Sequence, residues 1–258
     1  MSAAASPSPK TSLKREAEES QSGNEAAEKK LKNKDSIRFC NNPIVTLKVG
    51  PDLLPFHVHQ NLLCKHSLFF AAAFKGSFKE RVGSMELTED DAEAFERFIQ
   101  WLYRRDFTIS PIGDKQCTSS RYRELVRVYI LADKFDVPLL KNRVMVFLFD
   151  TVRLPNGNFR WQAGHHCHFR PRSGDAKLVY TNTVKGSPIR NFMAAYCAWY
   201  YPVAKLEEQD FWESISDNPE FFIDVSMNLA RRSNNRMDPL LDINNFLEPV
   251  PDDGVTED

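Results

Sequence analysis

Between residues 44 and 103 the hydrophobic period of the chain changes several times with almost no slack. Ile44-Val45-Thr46-Leu47-Lys48-Val49 is β-branched and mostly apolar, which suits a strand. Gly50-Pro51-Asp52 is turn chemistry. Leu54, Phe56 and Val58 then alternate with Pro55, His57 and His59, the pattern of a second strand paired with the first as a hairpin. Leu62, Leu63, Phe69, Phe70, Phe74 and the Ala71-Ala72-Ala73 run predict two short helices, with Ser67 placed to cap the second. Ser84-Met85-Glu86-Leu87 predicts a third short strand, and Thr88-x-x-Asp91 is a helix-start signature. Ala92, Phe95, Phe98, Ile99 and Leu102 come next at helical spacing and give one apolar stripe. The fold class that results is α+β, a short sheet packed on a cluster of helices.

Two further helices complete this region. Leu125, Tyr129, Ala132 and Phe135 mark the first; Pro138 ends it and suits the first turn of the next, where Leu140, Val144, Phe147 and Leu148 face inward. Residues 153–175 show little periodicity. Residues 176–180 read as a strand. Ser187-Pro188 and Asn218-Pro219 each combine a capping residue with proline at the first helical position. Ile189, Phe192, Met193, Tyr196 and Tyr200 form the stripe of the first of these helices; Phe222, Val225 and Leu229 form that of the second. The expected organisation is a disordered tail over 1–36, a domain over 40–153, a mostly helical extension over 154–247 and a disordered acidic tail over 248–258. The first tail is Ala, Ser, Glu and Lys with too little apolar surface to offset its ordering entropy.

Several function classes are disfavoured. A formal net charge of −1 supplies no global field for nucleic acid or an anionic membrane. No apolar run approaches the length of a membrane span, and the N-terminal residues lack an apolar signal region. The scattered cysteines Cys40, Cys64, Cys117, Cys167 and Cys197 include no C-x-x-C pair and read as reduced intracellular thiols. His165-His166-Cys167-His168 lacks a second ligand pair, and consecutive residues alternate faces, so a polar loop is favoured over a zinc site. His57 and His59 share the strand face opposite Phe56 and Val58. Asp90, Asp91, Glu93 and Glu96 suit a helix start rather than acid–base work. No phosphate loop, nucleophile elbow or metalloprotease motif occurs, so neither an enzyme nor a cofactor is expected. Lys14-Arg15 and Lys29-Lys30-Leu31-Lys32 have the spacing of a bipartite nuclear import signal, against the alternative of a solubilising tail.

The hairpin, Phe56-x-Val58-His59, Ser67-x-Phe69-Phe70 and Trp101-Leu102-Tyr103 together resemble the BTB/POZ domain family over residues 42–153. Val179-Tyr-x-Asn-Thr183-x-x-Gly-Ser187-Pro-x-Arg190 is similar to a tail found in fungal BTB proteins. The resemblance implies a protein–protein interaction module with protein partners, in the nucleus or cytoplasm. It implies a homodimer built on the first helix, with Gln60, Leu63 and Cys64 at the interface. It also implies that Phe78-Lys79-Glu80 contacts a cullin scaffold, which would make the chain a ubiquitin ligase adaptor. The alternative is that Phe78 closes the core. A second functional reading is a nuclear scaffold or transcription-associated factor; without a zinc-finger pattern, direct DNA reading is not expected.

Overall fold

The computed structural model describes residues 42–75, 83–109, 118–152, 173–200, 218–234 and 236–250. The chain divides into two units, 1–42 and 43–258. Of the first only Asn42 is described, and every described strand and helix belongs to the second. The basic clusters, Phe78, Glu80 and residues 165–168 all lie outside the described residues.

Strand β1 (Ile44–Val49) is the centre of a three-stranded sheet of order β2-β1-β3. It pairs antiparallel with β2 (Leu54–His59), placing Val45 opposite Val58 and Leu47 opposite Phe56. It pairs parallel with β3 (Ser84–Leu87), Val49 opposite Leu87. Val45, Leu47, Val49 and Val58 are buried, whereas Thr46, Lys48 and His57 face outward, as the period of two requires. Gly50 turns the hairpin at φ +76°, a conformation that favours glycine, and its N–H donates to the Leu87 carbonyl at 2.9 Å.

Helices α1 (Gln60–His66) and α2 (Leu68–Lys75) meet at Ser67. Its hydroxyl accepts from the Phe70 N–H at 3.2 Å, the expected cap, and donates to the Phe135 carbonyl at 2.6 Å. One side chain thus starts α2 and joins it to a loop far along the chain. Above it, Phe70 lies 4.7 Å from Phe135 between ring centroids and 6.2 Å from Phe98; Phe56 of the sheet lies 5.0 Å from Phe95. These rings weld sheet to helices.

Helix α3 (Ala92–Arg104) is capped by Asp91, which accepts from the Ala94 N–H at 3.0 Å. The start signature is therefore realised by its last residue rather than by Thr88. Asp90 takes both oxygens to Lys134 at 2.8 and 2.9 Å, tying this start to the end of α4 (Thr118–Lys134). Helix α5 (Pro138–Val152) begins on its proline and buries Leu140, Val144 and Leu148. Phe147 is only half-buried, with the Arg143 guanidinium 4.5 Å from its ring centroid.

The extension contributes α6 (Ser173–Asn182), α7 (Pro188–Tyr200) and α8 (Pro219–Ser233), then 3₁₀ turns at Pro239–Leu241 and Ile243–Phe246. Residues 176–180 are helical, not a strand. Ala176, Val179 and Tyr180 are buried at i, i+3 and i+4 while Leu178 is half-exposed, so the buried period is that of a helix. In α8 the buried face is Phe221, Val225 and Asn228; Phe222 and Leu229, expected inside, are exposed. Both proline starts are correct, but the Ser187 hydroxyl is buried without a hydrogen bond among the described residues, and Asn218 makes no side-chain cap bond. Arg190 pairs with Glu220 near the N-terminal ends of α7 and α8, and Arg232 donates to the Ala198 carbonyl near their C-terminal ends. The two helices therefore run side by side in the same direction.

Ser67→Ala removes an acceptor from Phe70 N–H and a donor from a buried carbonyl. Stability falls by about 1–3 kcal/mol, read as a lower urea midpoint at unchanged m-value.

Candidate functional site

The first helix shows what the domain presents. Leu62, Leu63 and Cys64 of α1 are all buried in the chain's own core. Of the three residues expected at a dimer interface, only Gln60 reaches the surface, half-exposed; the exposed positions are Asn61 and Lys65. In this seven-residue helix Leu63 and Cys64 belong to the buried stripe beneath it. Burial pushes the Cys64 thiol up despite the nearby Lys75 charge, and its Sγ donates to the Phe70 carbonyl at 3.5 Å. Burial likewise pushes the Cys197 thiol up to about 12. Neither thiol is poised for nucleophilic chemistry.

The outer face of the sheet is built of cross-strand pairs. Lys48 meets Glu86 at 2.9 Å, and Thr46 Oγ1 lies 3.1 Å from His57 Nδ1. The Tyr103 hydroxyl accepts from the His59 N–H at 3.1 Å and lies 2.7 Å from His59 Nδ1. Both histidines thus serve structure. Among the described residues no three His, Cys, Asp or Glu side chains converge on a possible metal position. Phe78 and Glu80 belong to the segment between α2, which ends at Lys75, and β3, which begins at Ser84.

The 179–190 motif, for which the family resemblance implies no role, is a staple. Arg190 is buried; its Nε donates to Thr183 Oγ1 at 3.0 Å and its Nη2 to the Tyr180 carbonyl at 2.6 Å, with a further short contact to the Thr183 carbonyl. Its Nη1 reaches Glu220 at 2.5 Å and its guanidinium sits 4.5 Å from the Tyr180 ring centroid. Tyr180 in turn donates to Asp224 at 2.9 Å. The last carbonyls of α6 lack intrahelical donors, and a cation there also meets the negative end of the helix dipole. Gly186, at φ +82°, supplies the turn that brings Arg190 back onto them. Burial, then the Asp224 hydrogen bond, raise the Tyr180 pKa.

A second polar seam joins α4 and α5 to the extension. Buried Asp175 accepts from Arg123 at 2.8 Å. Buried Lys141 bonds Asp133 at 2.7 Å and Glu248 at 2.6 Å. Burial opposes the charge of Lys141, but its two carboxylate hydrogen bonds outweigh this and raise its pKa. The Asn142 side chain grips the Glu248 backbone twice, donating to its carbonyl at 2.9 Å and accepting from its N–H at 2.8 Å. Glu248, expected in a disordered tail, is therefore anchored. The sequence signal for this was the doublet Asp238-Pro239 and Asp242-Ile243, in which each aspartate caps a turn that buries Leu240 or Phe246.

Comparison with known families places this geometry. Residues 32–151 match the family model of the BTB/POZ domain. The chain carries a BTB/POZ domain. No curated protein matches the chain. A BTB/POZ domain is a protein–protein interaction module, so the relevant chemistry is that of surfaces. The three-stranded sheet and the helices up to α5 fit the α+β BTB/POZ fold, and α6 to α8 form the mostly helical extension.

Two substitutions test the polar seams. Arg190→Lys cannot reproduce the forked contacts, and leaving a buried carbonyl without a donor costs about 1–3 kcal/mol, visible as a lower melting temperature. Asn142→Ala accelerates hydrogen exchange at the Glu248 amide while the α4 and α5 core amides keep their protection.

Proposed function

We propose that the chain is a substrate adaptor of a cullin-RING ubiquitin ligase. The observation that carries this reading is the outer face of α2. Leu68 is 71% exposed, and Phe69 and Ala72 are exposed beside it, an unusual apolar display on a helix that ends three positions before Phe78 in the sequence. An apolar anchor next to a charge that fixes orientation is how interface hot spots are built. In this reading Phe78 and Glu80 contact the scaffold, and the extension, fastened to α4 and α5 by buried polar seams, holds the target. Self-association through α1 would use Gln60, Asn61 and Lys65 rather than Leu63 and Cys64.

Phe78→Ala combined with Glu80→Ala is expected to abolish co-purification of a cullin while circular dichroism and melting temperature stay unchanged. Undiminished cullin recovery by that double variant sinks the assignment.

The basic pairs Lys14-Arg15 and Lys29-Lys30, with Lys32, favour a second reading, a nuclear scaffold recruiting regulators. Deleting residues 1–35 then moves a fluorescent fusion from nucleus to cytosol. A full-length protein that is cytosolic from the outset removes this version.

A further inference from the structure

Helix α8 is apolar on two opposite sides, and only one of them is buried. Phe221, Val225 and Asn228 face inward. Phe222, Ile223, Met227 and Leu229 are each between 42% and 52% exposed. At 3.6 residues per turn, Ser226, Ala230 and Ser233 fall among these four, on the side opposite the buried stripe. That outer face therefore contains no charged residue. A helix facing solvent ordinarily carries its charges there.

The charges of α8 lie elsewhere, and each has a definite place. Arg232 donates to the Ala198 carbonyl, and Asp224 accepts from the Tyr180 hydroxyl. Glu220 and Arg231 both fall on one edge of the apolar face, beside Met227, the first in the opening turn and the second in the last. Glu220 gives one oxygen to Arg190, but its side chain is 61% exposed and its other oxygen can still accept. Arg231 is exposed as well. Along this edge the order is acid, apolar side chains, base.

We propose that the outer face of α8 is a self-association surface, on which α8 of a second copy of this chain packs antiparallel. A two-fold axis perpendicular to the helices sets each edge against the same edge of its mate, so residue i meets j and j meets i. Glu220 of each copy then lies level with Arg231 of the other, and Phe222 with Leu229. Ser226 sits near the axis, where a small side chain lets the helices approach. A parallel pair would instead set Glu220 level with Glu220 and Arg231 level with Arg231. Apolar burial drives the association, and the end charges select its direction. A helix of another protein would bury the same apolar side chains, but the chain's own helix already carries the complementary order of charges. One helical face is smaller than the roughly 800 Å² per partner of a standard interface, so the association is weak and depends on concentration. This surface belongs to the extension, outside residues 32–151, and is independent of the adaptor reading.

Sedimentation velocity of the full chain over a concentration series provides the first test. Reversible association is expected, and Ile223→Glu, which buries a carboxylate in the centre of the face, weakens it about tenfold or more. Ile223 is exposed, so the melting temperature of that variant stays unchanged. The second test reads direction. Ser226→Cys and Ser233→Cys are made separately and treated with a short bis-maleimide, and tandem mass spectrometry identifies the joined peptides. Position 226 is expected to link to itself between copies, whereas position 233, at the helix end, is not; a parallel pair links both. Three results overturn the proposal: no association up to the solubility limit, association indifferent to Ile223→Glu, which assigns it to another surface such as α1, or position 233 linking to itself as readily as position 226.

Discussion

The contact between Ser67, Phe70 and Phe135 is the point on which the domain turns. Ser67 supplies both a helix cap and a bond to the Phe135 carbonyl, and the Phe70 and Phe135 rings meet in a tilted contact at 4.7 Å. A hydroxyl capable of both roles at once is only useful if α2 and the α4–α5 loop are held at one separation. The rings enforce that separation, and the sheet then packs on the same cluster through Phe56 and Phe95. Apolar burial provides most of the driving force; the serine selects which arrangement of the rings is adopted.

Beyond the aromatic cluster the organising interactions change character. The extension meets α4 and α5 through Asp175 with Arg123, Lys141 with Glu248, and Asn142 with the Glu248 backbone. Its own helices are gathered by Arg190. Buried ionic groups contribute little net stability over a well-packed apolar alternative, but removing one partner is costly. Such seams define a single docking geometry for the extension. That geometry keeps the surfaces of the domain and of the extension at a fixed spacing.

How far the residues announced this arrangement depended on the kind of signal. Periodicity was legible where one face alone is buried, as in β1, β2 and α3, where Val45, Leu47 and Phe98 lie inside as expected. It was ambiguous in 176–180, where five residues fit either period and only the burial of Val179 and the half-exposure of Leu178 discriminate. In α8, Phe221 and Phe222 are adjacent and equally apolar; tertiary packing selected the first and left the second outside. The same limit applies to α1, whose Leu63 and Cys64 pack into the chain's own core. Buried polar partners were the least visible. The turn signals before Glu248 point to an ordered segment, but nothing local to Glu248 reveals that the Asn142 amide group waits for it many residues away.

The bond between Asn142 and Glu248 also bears on the order of events during synthesis. The two residues are separated by 106 positions. Domains emerge and fold from the N-terminal side at the pace of translation. The sheet, the aromatic cluster and α5 are therefore assembled while Lys141 still has Asp133 as its single carboxylate and Asn142 faces water. The nascent BTB/POZ domain passes through a period in which its seam is open and polar, and closes it only when the last turns arrive. Polar groups waiting at that seam stay solvated in the meantime, which the apolar groups of an equivalent hydrophobic seam would not.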